Sequence, residues 1–186
     1  NFIILNGNRL FLPLEGRHNA MNFLMALAVA NELGVPINNL NKLDLEMPHG
    51  RNRLINCGPF VVLDESYNAS PDSVIASLEL LKSKPGRHFA VLGTMLELGE
   101  DSNLLHENVV RRAVEFGLEG MVFVSKGGEA NFIKNIIKEL PFHDIVSTPE
   151  EAGNLLLSWL YPGDIVLVKG SRELKLVRII PILDRE

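Results

Sequence analysis

The sequence has one cysteine, Cys57, so it cannot form an internal disulfide bond. Its apolar runs are no longer than a strand, whereas a membrane-spanning helix needs about 20 apolar residues. No secretory signal pattern opens the chain, and a net charge of −5 argues against a dedicated nucleic-acid binder, which would usually show a basic face. These absences predict a cytoplasmic protein that has no membrane span and does not bind nucleic acid.

Three common ligand-binding motifs are also missing. No G-x-x-x-x-G-K-S/T phosphate loop is present, and no G-x-G-x-x-G follows a strand-like run. No cluster of histidine and cysteine has the spacing of a metal site. The chain therefore cannot cradle a triphosphate by itself in the usual way. Its 186 residues, 46% of them hydrophobic, are enough for one sizeable domain, or for one domain and a piece of another.

The pattern up to about residue 47 predicts a hairpin and a helix. Two short apolar runs, Phe2–Leu5 and Arg9–Leu14, flank an Asn-Gly-Asn turn. A helical period runs from Arg17 to Leu33, and a short helical piece is predicted at Asn38–Leu43. Proline and glycine in Met47–Arg51 predict a domain boundary, giving domains 1–47 and 48–186. The apolar residues expected on one face of the long helix are Met21, Leu24, Leu27, Ala28 and Val29.

After the boundary, two short strands at Arg53–Asn56 and Phe60–Leu63 precede a regular alternation of strands and helices. Helices between strands predict parallel pairing with right-handed crossovers. The expected fold is α/β, a Rossmann-like, mostly parallel sheet with helices on both faces. Further strands are predicted at Phe89–Leu92, Met121–Val124, Asp144–Val146 and Ile165–Val168, and helices at 71–84, 102–116, 129–139, 149–160 and after Ser171.

The most informative segment, Asp64–Ser70, follows a buried strand, at the sheet edge where α/β proteins bind ligands. Asp64 and Glu65 could bind a cation, a ribose hydroxyl or an ammonium group, or could merely cap neighbouring backbone amides. Both interpretations stay open from the sequence alone.

Two further loops should lie at the same edge. In Gly93–Asp101, Gly93 would let a ligand or another part of the chain approach closely, and His106 beyond it could be a surface residue. Lys169-Gly170-Ser171 could form an anion site at a helix N-terminus, or an ordinary solvated helix start capped by Ser171.

The start of the long helix places His18, Asn19 and Asn22 at spacings that can share a face. An asparagine amide matches the donor and acceptor edge of adenine. By spacing alone, ordinary capping by Asn19 is the better interpretation.

Taken together, these segments resemble the Mur ligases, the ATP-dependent amide-forming enzymes of peptidoglycan synthesis. Each motif alone is weak, but five of them in the right order are specific. The segments that carry the resemblance are Gly16–Asn22, His49–Arg51, Asp64–Asp72, Val91–Gly99 with His106, and Val168–Arg172.

The resemblance implies a function. The Ser66–Pro71 and Leu92–Gly99 segments are most similar to the members that add D-alanyl-D-alanine to UDP-N-acetylmuramoyl-tripeptide through an acyl phosphate. It further implies ATP and magnesium as cofactors, bound mainly by a central domain of which residues 1–47 would be the end. Residues 48–186 would be the C-terminal domain. The chain alone is expected to be inactive, with no complete catalytic set and no metal ligand, and to be monomeric.

The resemblance also implies roles for individual residues. The ATP-binding group would be His18, Asn19 and Asn22 at adenine, Arg51 at phosphate or ribose, and Asp64 or Glu65 as the acid in the strand-end loop. The acceptor side would be lined by Asn68, Lys169 and Arg172. Thr94 stands where relatives often have aspartate, so no charge is expected there.

Two other functions remain open at this point. One is a different amide ligase of the same superfamily, such as a folate-polyglutamating enzyme, against which the Ser66–Pro71 loop argues. The other is a non-catalytic, Rossmann-like binding module.

Overall fold

A computed structural model describes residues 2–5, 7–36, 43 and 45–184. The chain divides into two compact units, Asn1–Met47 and Pro48–Glu186. The short helix predicted at Asn38–Leu43 falls outside the described residues except for Leu43, which is not helical. No helix among the described residues is long and apolar enough to cross a membrane.

The first unit contains the predicted hairpin and helix. Strand β1 (Phe2–Leu5) pairs antiparallel with β2 (Asn8–Phe11), and helix α1 spans Arg17–Glu32. Strand β2 is shorter than predicted; Pro13, two residues beyond its end, has no N–H to continue a ladder.

The predicted apolar face of α1 is only partly correct. Leu27 is buried together with Phe23, one turn before it, and both pack with Leu10 of the hairpin. Met21 and Val29 are 54% and 60% exposed, because residues four apart define the covered face and these two lie off it. Ala28 is exposed and Leu24 half-buried.

The second unit is built on a six-stranded sheet in the order β3-β4-β8-β5-β6-β7. Strand β3 pairs antiparallel with β4, and all other neighbours are parallel. The predicted Rossmann-like fold is therefore confirmed. The strands are β3 (Arg53–Cys57), β4 (Phe60–Asp64), β5 (His88–Gly93), β6 (Gly120–Val124), β7 (Phe142–Val146) and β8 (Ile165–Lys169), and the helices are α2 (Pro71–Lys82), α3 (Ser102–Glu115), α4 (Glu129–Ile137), α5 (Pro149–Trp159) and α6 (Ile180–Leu183).

Helices cover both faces of this sheet, because its strands alternate side chains between two apolar clusters. Leu63, Leu92 and Phe123 face a cluster that includes residues of α2, α3 and α4. Val62 and Val91 face the other cluster, which includes residues of α5 and α6. The carboxyl ends of β4, β8 and β5 are therefore held rigidly next to each other.

The last predicted helix does not form after Ser171. Three-residue and four-residue 3₁₀ turns, Arg172–Leu174 and Leu176–Ile179, precede the single turn of α6. Lys175 between them has φ 52°, a left-handed conformation that interrupts a helix. No α-helix begins at Ser171. The prediction that Lys169-Gly170-Ser171 forms an anion site at a helix N-terminus was therefore wrong about the helix.

Candidate functional site

The ends of β4 and β8 bring an acid and a lysine together. Because Asp64 is in register with Val168, the next residues, Glu65 and Lys169, adjoin across the parallel pair. Nζ of Lys169 lies 3.6 Å from Oε2 of Glu65 and donates a hydrogen bond of 3.1 Å to the backbone oxygen of Asn68. The side chains are 4% and 13% exposed respectively, so the ion pair is largely shielded from water.

Burial and nearby charges act in opposite directions on Lys169. Burial lowers the pKa of its ammonium group, Glu65 raises it in part, and the positive charge of Arg51 lowers it further. Lys169 is thus a buried cation that depends on one carboxylate and one carbonyl for its solvation.

Asp64 does a different job from Glu65. Its Oδ2 accepts the N–H of Gly50 at 3.0 Å, and its Oδ1 accepts both the N–H and the hydroxyl of Ser66. With 1% of its surface exposed, Asp64 ties two loops together and has little room for a ligand. Of the two acids, the local structural interpretation fits Asp64, and Glu65 is the one that faces the lysine.

The ring of Tyr67 contacts two arginines near the Glu65–Lys169 ion pair. The guanidinium carbon of Arg51 lies 4.3 Å from the centre of the Tyr67 ring, and that of Arg172 lies 5.6 Å from it. The N–H of Tyr67 donates to the oxygen of Gly50, and a Cβ on Gly50 would lie 2.7 Å from that nitrogen. Sequence reasoning assigned no role to Tyr67. The signal that could have pointed to it is Gly50, the glycine before Arg51, whose backbone the Tyr67 backbone approaches closely.

The loop after β5 is fixed by the chain itself. A Cβ on Gly93 would lie 2.5 Å from Leu174 and 3.3 Å from Gly170. The missing side chain at Gly93 therefore makes room for another part of the chain and not for a ligand. The hydroxyl of Ser171 accepts the N–H of Leu96 instead of capping a helix. The hydroxyl of Thr94 is buried at this edge and has no hydrogen-bond partner within the described part of the chain.

His106 is a buried residue, and the prediction of a surface position was wrong. Its Nε2 accepts the N–H of Met95 at 2.9 Å, and its Nδ1 lies 2.7 Å from the oxygen of Ser102. These partners assign a neutral ring with the proton on Nδ1. The ring packs edge-on against Phe123, because α3 turns this side chain toward the sheet.

The three adenine candidates lie on α1 in the first unit. The amide of Asn19 donates to the oxygen of Glu15, which fits a local structural role. His18 is half-buried beside Gly16, and Asn22 is exposed. Five of the predicted site residues therefore lie together in the second unit: Arg51, Glu65, Asn68, Lys169 and Arg172. The other three, His18, Asn19 and Asn22, belong to the first unit.

No group of three or more histidines, cysteines, aspartates or glutamates among the described residues could hold a metal ion. Both oxygens of Asp64 already accept hydrogen bonds, and Glu65 pairs with Lys169. The residues present fit an anionic ligand better than a cation.

Comparison with known proteins identifies the family. The family model described as Mur ligase, glutamate ligase domain, matches residues 50–172. The chain belongs to the Mur ligase family. The resemblance inferred from the motifs is therefore confirmed, and the matched region covers the sheet and the whole Glu65–Lys169 site.

Three relatives illustrate the similarity. The UDP-N-acetylmuramoyl-tripeptide–D-alanyl-D-alanine ligase of Synechocystis sp. is 38% identical over 184 residues, which are 96% of this chain and 40% of that enzyme. The crystal structure of the MurF ligase from Thermotoga maritima in complex with ADP superposes with a TM-score of 0.77 at 28% identity, over 92% of this chain and 39% of that one. A structure of MurF from Acinetobacter baumannii gives a TM-score of 0.81 at 26% identity, over 96% and 40%. The chain thus spans about 40% of the length of these Mur ligases.

Proposed function

We propose that this chain is the acceptor-side portion of an ATP-dependent ligase that joins D-alanyl-D-alanine to UDP-N-acetylmuramoyl-tripeptide during peptidoglycan precursor synthesis. The proposal is supported by the name of the Synechocystis relative and by the ADP bound to the Thermotoga one. In this proposal residues 1–47 are the end of the central ATP-binding domain, and residues 48–186 are the C-terminal domain.

The observation that carries the proposal is the convergence of Glu65, Asn68 and Lys169 at one sheet edge beside Arg51. A ligase of this kind must bring anionic groups and an amine together away from water. Lys169, with 4% of its side chain exposed, supplies a shielded positive charge. Glu65 keeps that charge in place, and the guanidinium of Arg51, which has no ion pair within residues 45–184, adds a second one.

Each remaining residue has a proposed task. Arg51 contacts a phosphate or the ribose of ATP, and Asn68, Lys169 and Arg172 line the acceptor dipeptide. His18, Asn19 and Asn22 lie beside adenine, which in the case of Asn19 requires its bond to Glu15 to give way. ATP supplies the phosphoryl group that activates the tripeptide carboxylate, and magnesium is held mainly outside this chain.

We place the reaction in the cytoplasm, where the single, buried Cys57 stays reduced, and we propose a monomer. The net charge of −5 and the absence of a spanning helix among the described residues agree with small-molecule partners instead of nucleic acid or membrane.

The test is an assay of the full-length gene product with ATP, UDP-N-acetylmuramoyl-tripeptide and one acceptor at a time. We expect ADP release to depend on D-alanyl-D-alanine and to be absent with D-alanine or L-glutamate. Lys169→Met should lower the rate by about 100-fold or more because it removes charge at the reacting groups. Lys126→Met, at an exposed loop position, is the matched control and should leave the rate unchanged.

Acceptance of a single amino acid in place of the dipeptide would favour another ligase of the superfamily. Ligand binding without turnover by the full-length product would favour a binding module. The 186-residue chain assayed alone should release no ADP, and turnover by it would refute the proposed division of labour.

A further inference from the structure

The ring of Tyr67 is the meeting point of two cationic side chains that are far apart in the sequence. Arg51 comes from the segment before β3 and Arg172 from the turn after β8, yet both guanidinium groups lie within 6 Å of the same ring centre. Tyr67 itself is 40% exposed, so this cluster borders solvent from which a ligand can arrive.

Within the described part of the chain, no carboxylate forms an ion pair with the guanidinium group of Arg51 or of Arg172. A contact with the face of a ring leaves the N–H donors of a guanidinium group free. Tyr67 therefore orients both groups without using the donors that would bind an anion.

The other tyrosine shows what a structural arrangement looks like. Tyr161 also lies under an arginine, Arg87, at 4.9 Å. Arg87 is fully engaged, however, because it forms ion pairs with Asp164 at 2.6 Å and Glu119 at 3.7 Å. The arginines at Tyr67 have no such ion pairs with any described residue, so their guanidinium groups are available to a ligand.

Charge around Tyr67 favours an anion. Three cations, Arg51, Lys169 and Arg172, meet two carboxylates, and both oxygens of Asp64 already accept hydrogen bonds from the backbone and Ser66. The other carboxylate, Glu65, pairs with Lys169. Among the described residues, neither of these carboxylates forms an ion pair with Arg51 or Arg172, so the positive charge of both arginines can attract an anion.

We propose that Tyr67 is a positioning residue whose ring holds Arg51 and Arg172 together so that both guanidinium groups bind one oxyanion, a phosphate or a carboxylate. This inference deepens the proposed function and depends on it for the source of the oxyanion, either a phosphoryl group or a substrate carboxylate. It replaces the separate tasks of Arg51 at ATP and Arg172 at the acceptor with one shared oxyanion. Two guanidinium groups offer paired donors that match the oxygens of such a group.

The backbone explains why the ring can hold this position. The N–H of Tyr67 donates to the oxygen of Gly50 at 3.0 Å, and the N–H of Gly50 donates to the buried carboxylate of Asp64 at 3.0 Å. Arg51 directly follows Gly50, so its backbone is fixed relative to the ring. Only the side-chain rotamers remain to be ordered when an anion binds.

The test uses the 186-residue chain labelled with ¹⁵N-arginine and follows the Nε–Hε signals of Arg51 and Arg172 by NMR during titration. The probes are inorganic phosphate, acetate and D-alanyl-D-alanine, each at constant ionic strength. We expect both signals to shift with one common dissociation constant for at least one probe. Tighter binding of phosphate assigns a phosphoryl source, and tighter binding of either carboxylate assigns a carboxylate source.

Substitutions at the ring separate positioning from folding. Tyr67→Phe keeps the aromatic face and should bind within about twofold of wild type, whereas Tyr67→Leu should bind about fivefold or more weakly. Tyr161→Leu, which removes a tyrosine–arginine contact elsewhere, should leave the affinity unchanged. Amide spectra that match wild type show that each variant is folded.

The inference is overturned if neither arginine responds to any probe, if the two respond with different constants, or if Tyr67→Leu binds like wild type in a folded protein. Should Tyr67→Leu not fold, two other single variants decide. Tyr67→Phe must keep the affinity of wild type, and Arg172→Ala must weaken the response of Arg51 to the anion. The acceptor assay of the full-length product is independent of these titrations, so either proposal can fail while the other stands.

Discussion

The ammonium group of Lys169 and the carboxylate of Glu65 lie 3.6 Å apart where two neighbouring parallel strands end. Glu65 and Lys169 directly follow Asp64 and Val168, the last pair of the β4–β8 ladder, so the sheet itself sets their separation. A rigid pair at this place can present charge to a ligand without rearranging, which is the requirement for electrostatic stabilisation.

Removal of one partner from this pair should cost more than removal of both. In Glu65→Gln the buried Lys169 keeps its charge but loses its counter-charge and has neutral acceptors instead, so we expect a loss of about 1–3 kcal/mol in the free energy of unfolding. Lys169→Met should cost less, because Glu65 is nearer to water. Urea unfolding of both variants and the double variant, followed by Trp159 fluorescence, should give a coupling energy of about 1 kcal/mol or more. Strict additivity would contradict the coupling.

Gly50 should be intolerant of a side chain. Its φ of 76° strains any other residue, and a Cβ would lie 2.7 Å from the Tyr67 nitrogen. We expect Gly50→Ala to lower the free energy of unfolding by about 2–4 kcal/mol. Gly58→Ala is the matched control, since Gly58 has φ 55° with open space around it and should lose only about 1 kcal/mol. Equal losses in the two variants would show that the contact with Tyr67 is not the cause.

His106 should hold the loop after β5 through the amide of Met95. His106→Leu leaves that buried N–H without an acceptor, at a cost of about 2–3 kcal/mol. Hydrogen exchange measured by NMR should become faster at the Met95 amide than at amides in the strand before it. His143→Leu, at a half-buried histidine bonded to the oxygen of Leu140, should leave exchange at Met95 unchanged. Unchanged protection of Met95 in His106→Leu would refute this role.

Much of the second unit could be predicted from sequence because each signal was local. Pro71 after Ser70, and Thr148-Pro149-Glu150-Glu151, mark helix starts that the structure confirms at Pro71 and Pro149. The strand ends also placed Glu65 and Lys169 on one edge, since parallel strands share a carboxyl end. The helix starts depend on residues within four positions of each other. The shared edge depends on the fact that parallel strands run in the same direction.

What the sequence could not reveal depends on contacts between distant segments. The burial of His106 follows from which side of α3 meets Phe123, and the division of labour between Asp64 and Glu65 follows from the N–H of Gly50, fourteen residues earlier. The contact of Arg172 with Tyr67 joins the loops after β8 and β4, which are neighbours in the sheet but far apart in the sequence. The broken final helix requires the left-handed Lys175, a residue type that gives no warning of that conformation.

The helix start at Thr148 offers a pH test with a definite sign. The carboxylate of Glu151 accepts the N–H groups of Ser147 and Thr148, and these bonds, that of Ser147 first, lower its pKa in the folded chain. A lowered folded pKa stabilises the fold above the unfolded value of 4.5, and this contribution is lost as the pH falls through the folded value.

Glu151→Gln keeps a side chain that can complete the capping box but cannot ionise. We therefore expect its Tm to lie below that of wild type at pH 7 and to converge on it near pH 3, as wild type becomes protonated. Glu151→Ala loses the hydrogen bonds as well and should stay below Glu151→Gln at both pH values. Trp159 at the end of the same helix reports the unfolding by fluorescence. A gap between wild type and Glu151→Gln that stayed constant with pH would show that the charge does not contribute, since only ionisation distinguishes the two side chains.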